Sequence, residues 1–187
     1  MNIDEALDIQ IKKLSKGKTV LDLGGYRGRE CALALQAGAK SAICVDDESY
    51  KSYDNWNDVS TFPQVEYVTR NFMEWYDPAD IVIFKNVIYH QRNPWRTMEH
   101  IRKLTQEKLL LATSFVPGEE SVWRVYRPFE GHPVSWTVAW RPTLNGLQTL
   151  LEATGFKNIK WLVTNDQGSC ALTAEPGELP IGFEKRN

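Results

Sequence analysis

The apolar positions of the chain fall into short continuous runs separated by amphipathic stretches. Ile3, Leu7, Ile11 and Leu14 recur at three- and four-residue intervals and predict a helix, with Gly17 as its stop. Thr19 to Leu23 is a compact apolar run, read as a buried strand, that carries Asp22 and then breaks into glycines. Cys31, Ala32, Leu35 and Ala39 at helical spacing predict a helix over Arg29 to Gly38. Ser41 to Val45, Val65 to Val68, Asp80 to Phe84 and Leu109 to Thr113 read as four further strands. Between them, Tyr50 to Ser60 reads as helix, and Trp95 to Leu104 as a helix with Pro94 near its start and Met98, Ile101 and Leu104 on its apolar face. Thr143 is the expected N-cap of a last helix carrying Leu144, Leu147, Leu150 and Leu151 and stopped by Gly155. Lys157 to Val163 and Ser169 to Ala174, joined by Asn165 to Gly168, read as a terminal hairpin. The sum is an α/β chain of seven strands, mostly alternating with helices.

Composition adds bounds rather than chemistry. At 187 residues the chain is long enough for one domain with a sizeable core. A net charge of -2 gives no global basic field for nucleic acid. Cys31, Cys44 and Cys170 lie far apart in apolar segments, with neither metal-ligand spacing nor a disulfide framework, so they read as core residues of a reduced compartment. No apolar signal core and no membrane-length run is present, so a cytoplasmic protein without a membrane partner is expected.

The chemistry gathers at the carboxyl ends of the strands. Strand, glycine turn and helix over Asp22, Gly24, Gly25, Tyr26 and Gly28 describe a nucleotide-binding crevice, although an ordinary strand-to-helix turn has the same outline. Asp46 and Asp47 end the second strand about twenty residues on, where a carboxylate would accept hydrogen bonds from ribose hydroxyls. Asp46 is the better placed, and Asp47 equally suits an N-cap. Asn71 and Phe72, at the tip of the third strand, suit the edge and face of an adenine, or a plain loop. The fourth strand runs into Asn86, Tyr89, His90 and Pro94, where a substrate would lie. His90 is a candidate base, with a loop histidine bonded to backbone as the alternative. Residues 114–141 break the alternation with prolines, aromatics and arginines, and read as a lid or substrate wall, or as a homodimer contact. Residues 176–187 read as a loose tail after a single domain over 1–175.

This series resembles the class I S-adenosyl-L-methionine-dependent methyltransferases from Thr19 to about Ala174. Asp22, Gly24 and Gly28 match that family's Asp-x-Gly-x-Gly-x-Gly motif, with Tyr26 in place of the middle glycine. Val87-Ile88-Tyr89-His90 with Pro94, and Arg141-Pro142-Thr143 before a Leu-rich helix, look like a branch that includes tRNA wobble-uridine methyltransferase-like and small-molecule methyltransferases. The resemblance implies a Rossmann-like, mostly parallel sheet with helices on both faces. It implies S-adenosyl-L-methionine as cofactor, Gly24 and Gly25 under its methionine part, Asp46 on the ribose, Asn71 and Phe72 at the adenine, and no metal. A small polar acceptor is expected. A tRNA acceptor is not indicated, because the wobble-uridine enzymes carry an additional N-terminal region. A non-catalytic cofactor-binding module, a subunit of a larger methyltransferase and a nicotinamide-dependent oxidoreductase are the alternative readings.

Overall fold

β1 (Thr19–Leu23) is the strand about which the sheet is ordered, and it is buried from Val20 to Leu23. In the computed structural model, which describes residues 1–47, 62–125 and 140–178, seven strands form one sheet in the order β3-β2-β1-β4-β5-β9-β8. β2 (Ser41–Asp46), β3 (Glu66–Thr69), β4 (Ala79–Lys85) and β5 (Thr105–Ser114) run parallel to β1. β9 (Ser169–Pro176) and β8 (Phe156–Asn165) close the far edge as an antiparallel hairpin. The strand order reverses beside β1, with β2 on one side and β4 on the other. That reversal opens a crevice at the carboxyl ends of the parallel strands.

Side-chain alternation along β1 separates two cores. Leu21 and Leu23 face a layer that includes Phe84, Leu109, Leu111 and Leu172, covered by α3 (Pro94–Leu104) and α4 (Leu144–Ala153). Val20, with Ile81, Ile83, Leu110 and Ala112, faces α1 (Ile3–Leu14) and α2 (Arg29–Gln36) through Leu7, Ile11, Cys31 and Ala32. The parallel strands are therefore apolar on both sides, which is why they appear in the sequence as continuous runs. The three cysteines are free and buried.

Helix starts follow their local chemistry. Asn2 and Glu5 form a reciprocal capping box on α1. The Asn93 side-chain oxygen Oδ1 caps α3 by accepting from Arg96 N–H, with Pro94 at the first turn. Thr143 caps α4 as expected, its Oγ1 accepting from Gly146 N–H at 3.0 Å.

The structure also departs from expectation. β5 begins at Thr105, directly after α3, rather than at Leu109, because Thr105 pairs with Ala79 while Gln106 and Glu107 face solvent and hide the strand in the sequence. The loops after β3 and β4 each contain one 3-10 turn, Phe72–Glu74 and Ile88–His90. Inside the aromatic segment, β6 (Trp123–Val125) and β7 (Trp140–Pro142) pair as a short ribbon that no periodicity signalled. The start of the expected tail is ordered: β9 includes Pro176, Gly177 N–H donates to Gly155 O at 2.7 Å, and Arg102 donates to the carbonyls of Gly155 and Gly177. The helix expected over Tyr50 to Ser60, the centre of the aromatic segment (126–139) and the last residues (179–187) lie outside the described residues.

Gly146 seats α4 against the chain entering β6, and a Cβ there would stand 2.4 Å from Val122 O and 3.0 Å from Val122 N. Gly146→Ala gains about 1 kcal/mol of helix propensity, but overpacking against backbone costs about 1–3 kcal/mol. The expected net effect is a lower melting temperature, by roughly 2–6 °C, in a calorimetric scan. A rise would show that the α4–β6 contact yields freely.

Candidate active site at the ends of β1 and β4

The turn after β1 is shaped by close approach. Gly24 has φ +72°, and a Cβ there would lie 2.5 Å from Val87 Cγ2 on the loop after β4. Gly28 has φ +66°, and its Cβ would lie 2.7 Å from the Tyr67 hydroxyl. A Cβ on Gly25 would meet Asp22 Oδ2 at 2.5 Å and Cys44 Sγ at 2.7 Å. Any side chain at these positions would push apart the tips of β1, β2 and β4. Tyr26, between them, takes φ +50°, a strained value for an aromatic residue. Its N–H donates to Asp46 Oδ2 at 3.0 Å, which ties the turn to the end of β2. Arg27 lies over the Tyr26 ring, 5.2 Å from its centroid.

A charged cluster stands beneath this turn. Asp22 is 1% exposed, and its Oδ2 has no hydrogen-bond partner among the described residues. Burial pushes its carboxyl well above the usual range; Glu30 and Asp46 add to this and Lys85 opposes it. Lys85, the last residue of β4, holds Glu30 Oε1 and Asp4 Oδ1, each at 2.7 Å. Burial works against the Lys85 ammonium, but Glu30 and Asp4 outweigh it and leave its pKa raised. Arg29 is committed to Asp8, with contacts of 2.8 and 2.6 Å, and reaches Glu30 at 3.3 Å.

These elements enclose a cavity of about 510 Å³. Of the expected site residues, Asp22, Gly24, Gly25, Tyr26, Asn86, Tyr89 and His90 line it. Asn86 has φ +59° and donates its N–H to Ala112 O at 2.8 Å. The Tyr89 and His90 rings lie 4.3 Å apart at 58°. His90 N–H closes the 3-10 turn on Val87 O at 2.9 Å. Burial raises the Tyr89 phenol, while the Arg141 charge acts in the opposite direction. Gly28 sits behind the turn as the residue before α2, and Asp46 joins the site through the Tyr26 N–H. Asp47 is exposed beside it, and the helix it would cap lies outside the described residues. Asn71 and Phe72 stand apart from this lining. The Asn71 oxygen accepts from Met73 N–H at 3.0 Å, and the Phe72 ring is buried edge-on against Phe84 at 5.6 Å.

Sequence reasoning missed Arg27, Arg29, Glu30, Lys85 and Val87, which also line the cavity. The available signal was a lysine closing an apolar strand and a glutamate opening an otherwise apolar helix face. A second cavity, of about 560 Å³, lies between Phe115–Pro117, Arg141 and the turn from Thr164 to Gly168. The lid or wall expected over 114–141 is described only at its two ends, where Trp123 Nε1 donates to Gly146 O at 3.1 Å. Among the described residues, no group of three or more His, Cys, Asp or Glu could hold a metal ion, and no helix is long and apolar enough to cross a membrane.

The raised Asp22 pKa carries a signed prediction. The folded state holds this proton above the normal carboxylate pKa of 3.8, where the unfolded chain has released it, so Asp22 lowers stability as pH rises from there. Asp22→Asn abolishes that titration. Its melting temperature should gain on the unmodified protein between pH 4 and 7 and lose that advantage below pH 4. A difference that does not vary with pH would refute the shift.

The chain is 26% identical over 152 residues to the tRNA U34 carboxymethyltransferase of Idiomarina loihiensis, covering 76% of this chain and 46% of the relative. It is 27% identical over 162 residues to the enzyme of the same name from Pseudomonas fluorescens, covering 78% and 47%. The chain thus spans about half the length of the curated relatives it matches. Among solved structures, it superposes on 1,6-didemethyltoxoflavin-N1-methyltransferase of Burkholderia thailandensis, crystallised with 1,6-didemethyltoxoflavin and S-adenosylhomocysteine, with a TM-score of 0.67 at 20% identity, over 93% of this chain and 77% of that one. It also superposes on magnesium protoporphyrin IX methyltransferase from Synechocystis PCC 6803 with bound S-adenosylmethionine, with a TM-score of 0.62 at 18% identity, over 92% and 79%. A family model described as "Methyltransferase domain" matches residues 2–160, a span that holds the glycine turn, Asp46, and the Tyr89–His90 turn, and the chain belongs to that methyltransferase family.

Proposed function

We propose that this domain is an S-adenosylmethionine-dependent methyltransferase acting on a small polar acceptor. The observation that carries the reading is the buried Asp22 carboxyl group, one oxygen of which has no hydrogen-bond partner among the described residues, beneath a glycine turn pinned to Asp46. The residues present fit the cofactor. Asp22 would receive its ammonium, Gly24 and Gly25 line the cavity where its amino-acid part would lie, and Asp46 stands at the tip of β2 where ribose hydroxyls would donate. The bound cofactor supplies an electrophilic methyl group on a sulfonium. The protein's task is then to hold an acceptor in line and to exclude water. Tyr89 and His90 form the wall beside Asn86, and His90 is the candidate base for an acceptor that must lose a proton. The small molecules named with the structural neighbours support a small acceptor. A homodimer through the aromatic segment belongs to the same reading, and sedimentation at several concentrations reads it.

Calorimetric titration with S-adenosylmethionine and S-adenosylhomocysteine, with NAD as control, tests the cofactor. Micromolar binding of the first two is expected, weakened about tenfold or more in Asp46→Ala through loss of charge-assisted hydrogen bonds. Binding of NAD alone would replace this reading with an oxidoreductase, and binding of none of the three would remove it. With an acceptor found by screening, His90→Ala should lose about 100-fold in turnover. Unchanged turnover would leave positioning as the whole mechanism, and cofactor binding without turnover on any acceptor would favour a binding module.

A further inference from the structure

We propose that Lys85 is the carboxylate-binding residue of this cavity, and that with Asp22 it forms a two-point clamp for an α-amino acid. The inference deepens the cofactor reading above and rests on it.

The register brings the two groups together. Asp22 on β1 stands opposite Ile83 on β4. Lys85 is two residues beyond Ile83, so it projects from the same face one step nearer the crevice. Both residues line the cavity. An α-amino acid carries its ammonium and carboxylate on one carbon, so a site that reads both needs its acceptor and its donor side by side. Asp22 and Lys85 have that arrangement, one a hydrogen-bond acceptor and the other a cation on the same face.

The other cations of the lining are less suited. Arg29 is committed to both oxygens of Asp8 and to Glu30. Arg27 is exposed and lies over the Tyr26 ring. An ammonium has three N–H donors. Lys85 uses two of them, on Glu30 and Asp4. Among the described residues these are its ion-pair partners, and the proposal assigns the third N–H to the ligand. Glu30, nearly buried, fixes the ammonium at the strand end and compensates its charge. Asp4 approaches from the solvent side with its side chain 61% exposed. A lysine held only for an ion pair would not need to face the cavity beside a buried carboxyl group whose Oδ2 has no hydrogen-bond partner among the described residues.

The test compares two ligands that differ by one carboxylate, S-adenosylmethionine and decarboxylated S-adenosylmethionine. Both are titrated calorimetrically into the full chain, into Lys85→Met, and into the double variant Lys85→Met with Glu30→Gln. The double variant removes the buried charge that the single substitution would strand, so it keeps the test available if Lys85→Met fails to fold. The unmodified protein should prefer S-adenosylmethionine by about tenfold or more, as expected for a charge-assisted contact. The variants should bind the decarboxylated ligand as before and discriminate by less than about threefold. A preference that survives in the variants, a parallel weakening of both ligands, or no preference in the unmodified protein would each overturn the role of Lys85. Failure of S-adenosylmethionine to bind the unmodified protein at all would overturn the cofactor reading itself.

Discussion

The burial of one carboxylate inside the central strand constrains the whole upper edge of the sheet. Asp22 is 1% exposed in a strand flanked by β2 and β4. Its Oδ2 lies 2.5 Å from where a Cβ on Gly25 would stand, and Cys44 Sγ lies 2.7 Å from the same point. A buried charge of this kind costs several kcal/mol when it lacks compensation, as an order of magnitude. The neighbourhood answers in two ways: the carboxyl's affinity for its proton rises, and Lys85 stands on the same face. The glycine turn, the end of β4 and the start of α2 are all arranged around this group.

The two faces of the sheet divide the work. The α3/α4 face carries the larger apolar core, from Leu21 and Phe84 to Leu151 and Leu172. The α1/α2 face is apolar at the amino ends of the strands and charged at their carboxyl ends, where Asp22, Glu30, Lys85, Asp4 and Arg29 meet. Hydrophobic burial below therefore holds an electrostatic cluster above it in place. Backbone strain gathers at the same edge. The non-glycine residues with positive φ among those described are Tyr26, Asn86 and Asn158, and the first two line the cavity. Such strain persists only where surrounding contacts over-determine the chain. Here the Tyr26 N–H is bonded to Asp46, and the Asn86 N–H to Ala112.

Much of this arrangement was legible in the chain. Continuous apolar runs marked the strands buried on both sides, and the break into Gly24, Gly25 and Gly28 marked the crevice. Thr143 was readable as a cap because capping is local. What escaped was non-local or masked by polarity. The first half of β5 is polar because it pairs at one end of the sheet, and β6 and β7 are each three residues long. Phe72 carries no local sign of its packing, and its ring is buried edge-on against Phe84.

The sequence by itself determined the order of the seven strands of the main sheet and of the four α-helices described, the place of the glycine turn, Asp46 at the end of β2 and His90 in the loop after β4, because periodicity, turn chemistry and capping act over a few residues. The tertiary structure alone decided that Asp22, Glu30 and Lys85 share one cavity. They lie on β1, α2 and β4, up to sixty-three positions apart. Their meeting depends on parallel register, and register is set by the packing of whole strands against two layers of helices rather than by any residue's neighbours in the chain.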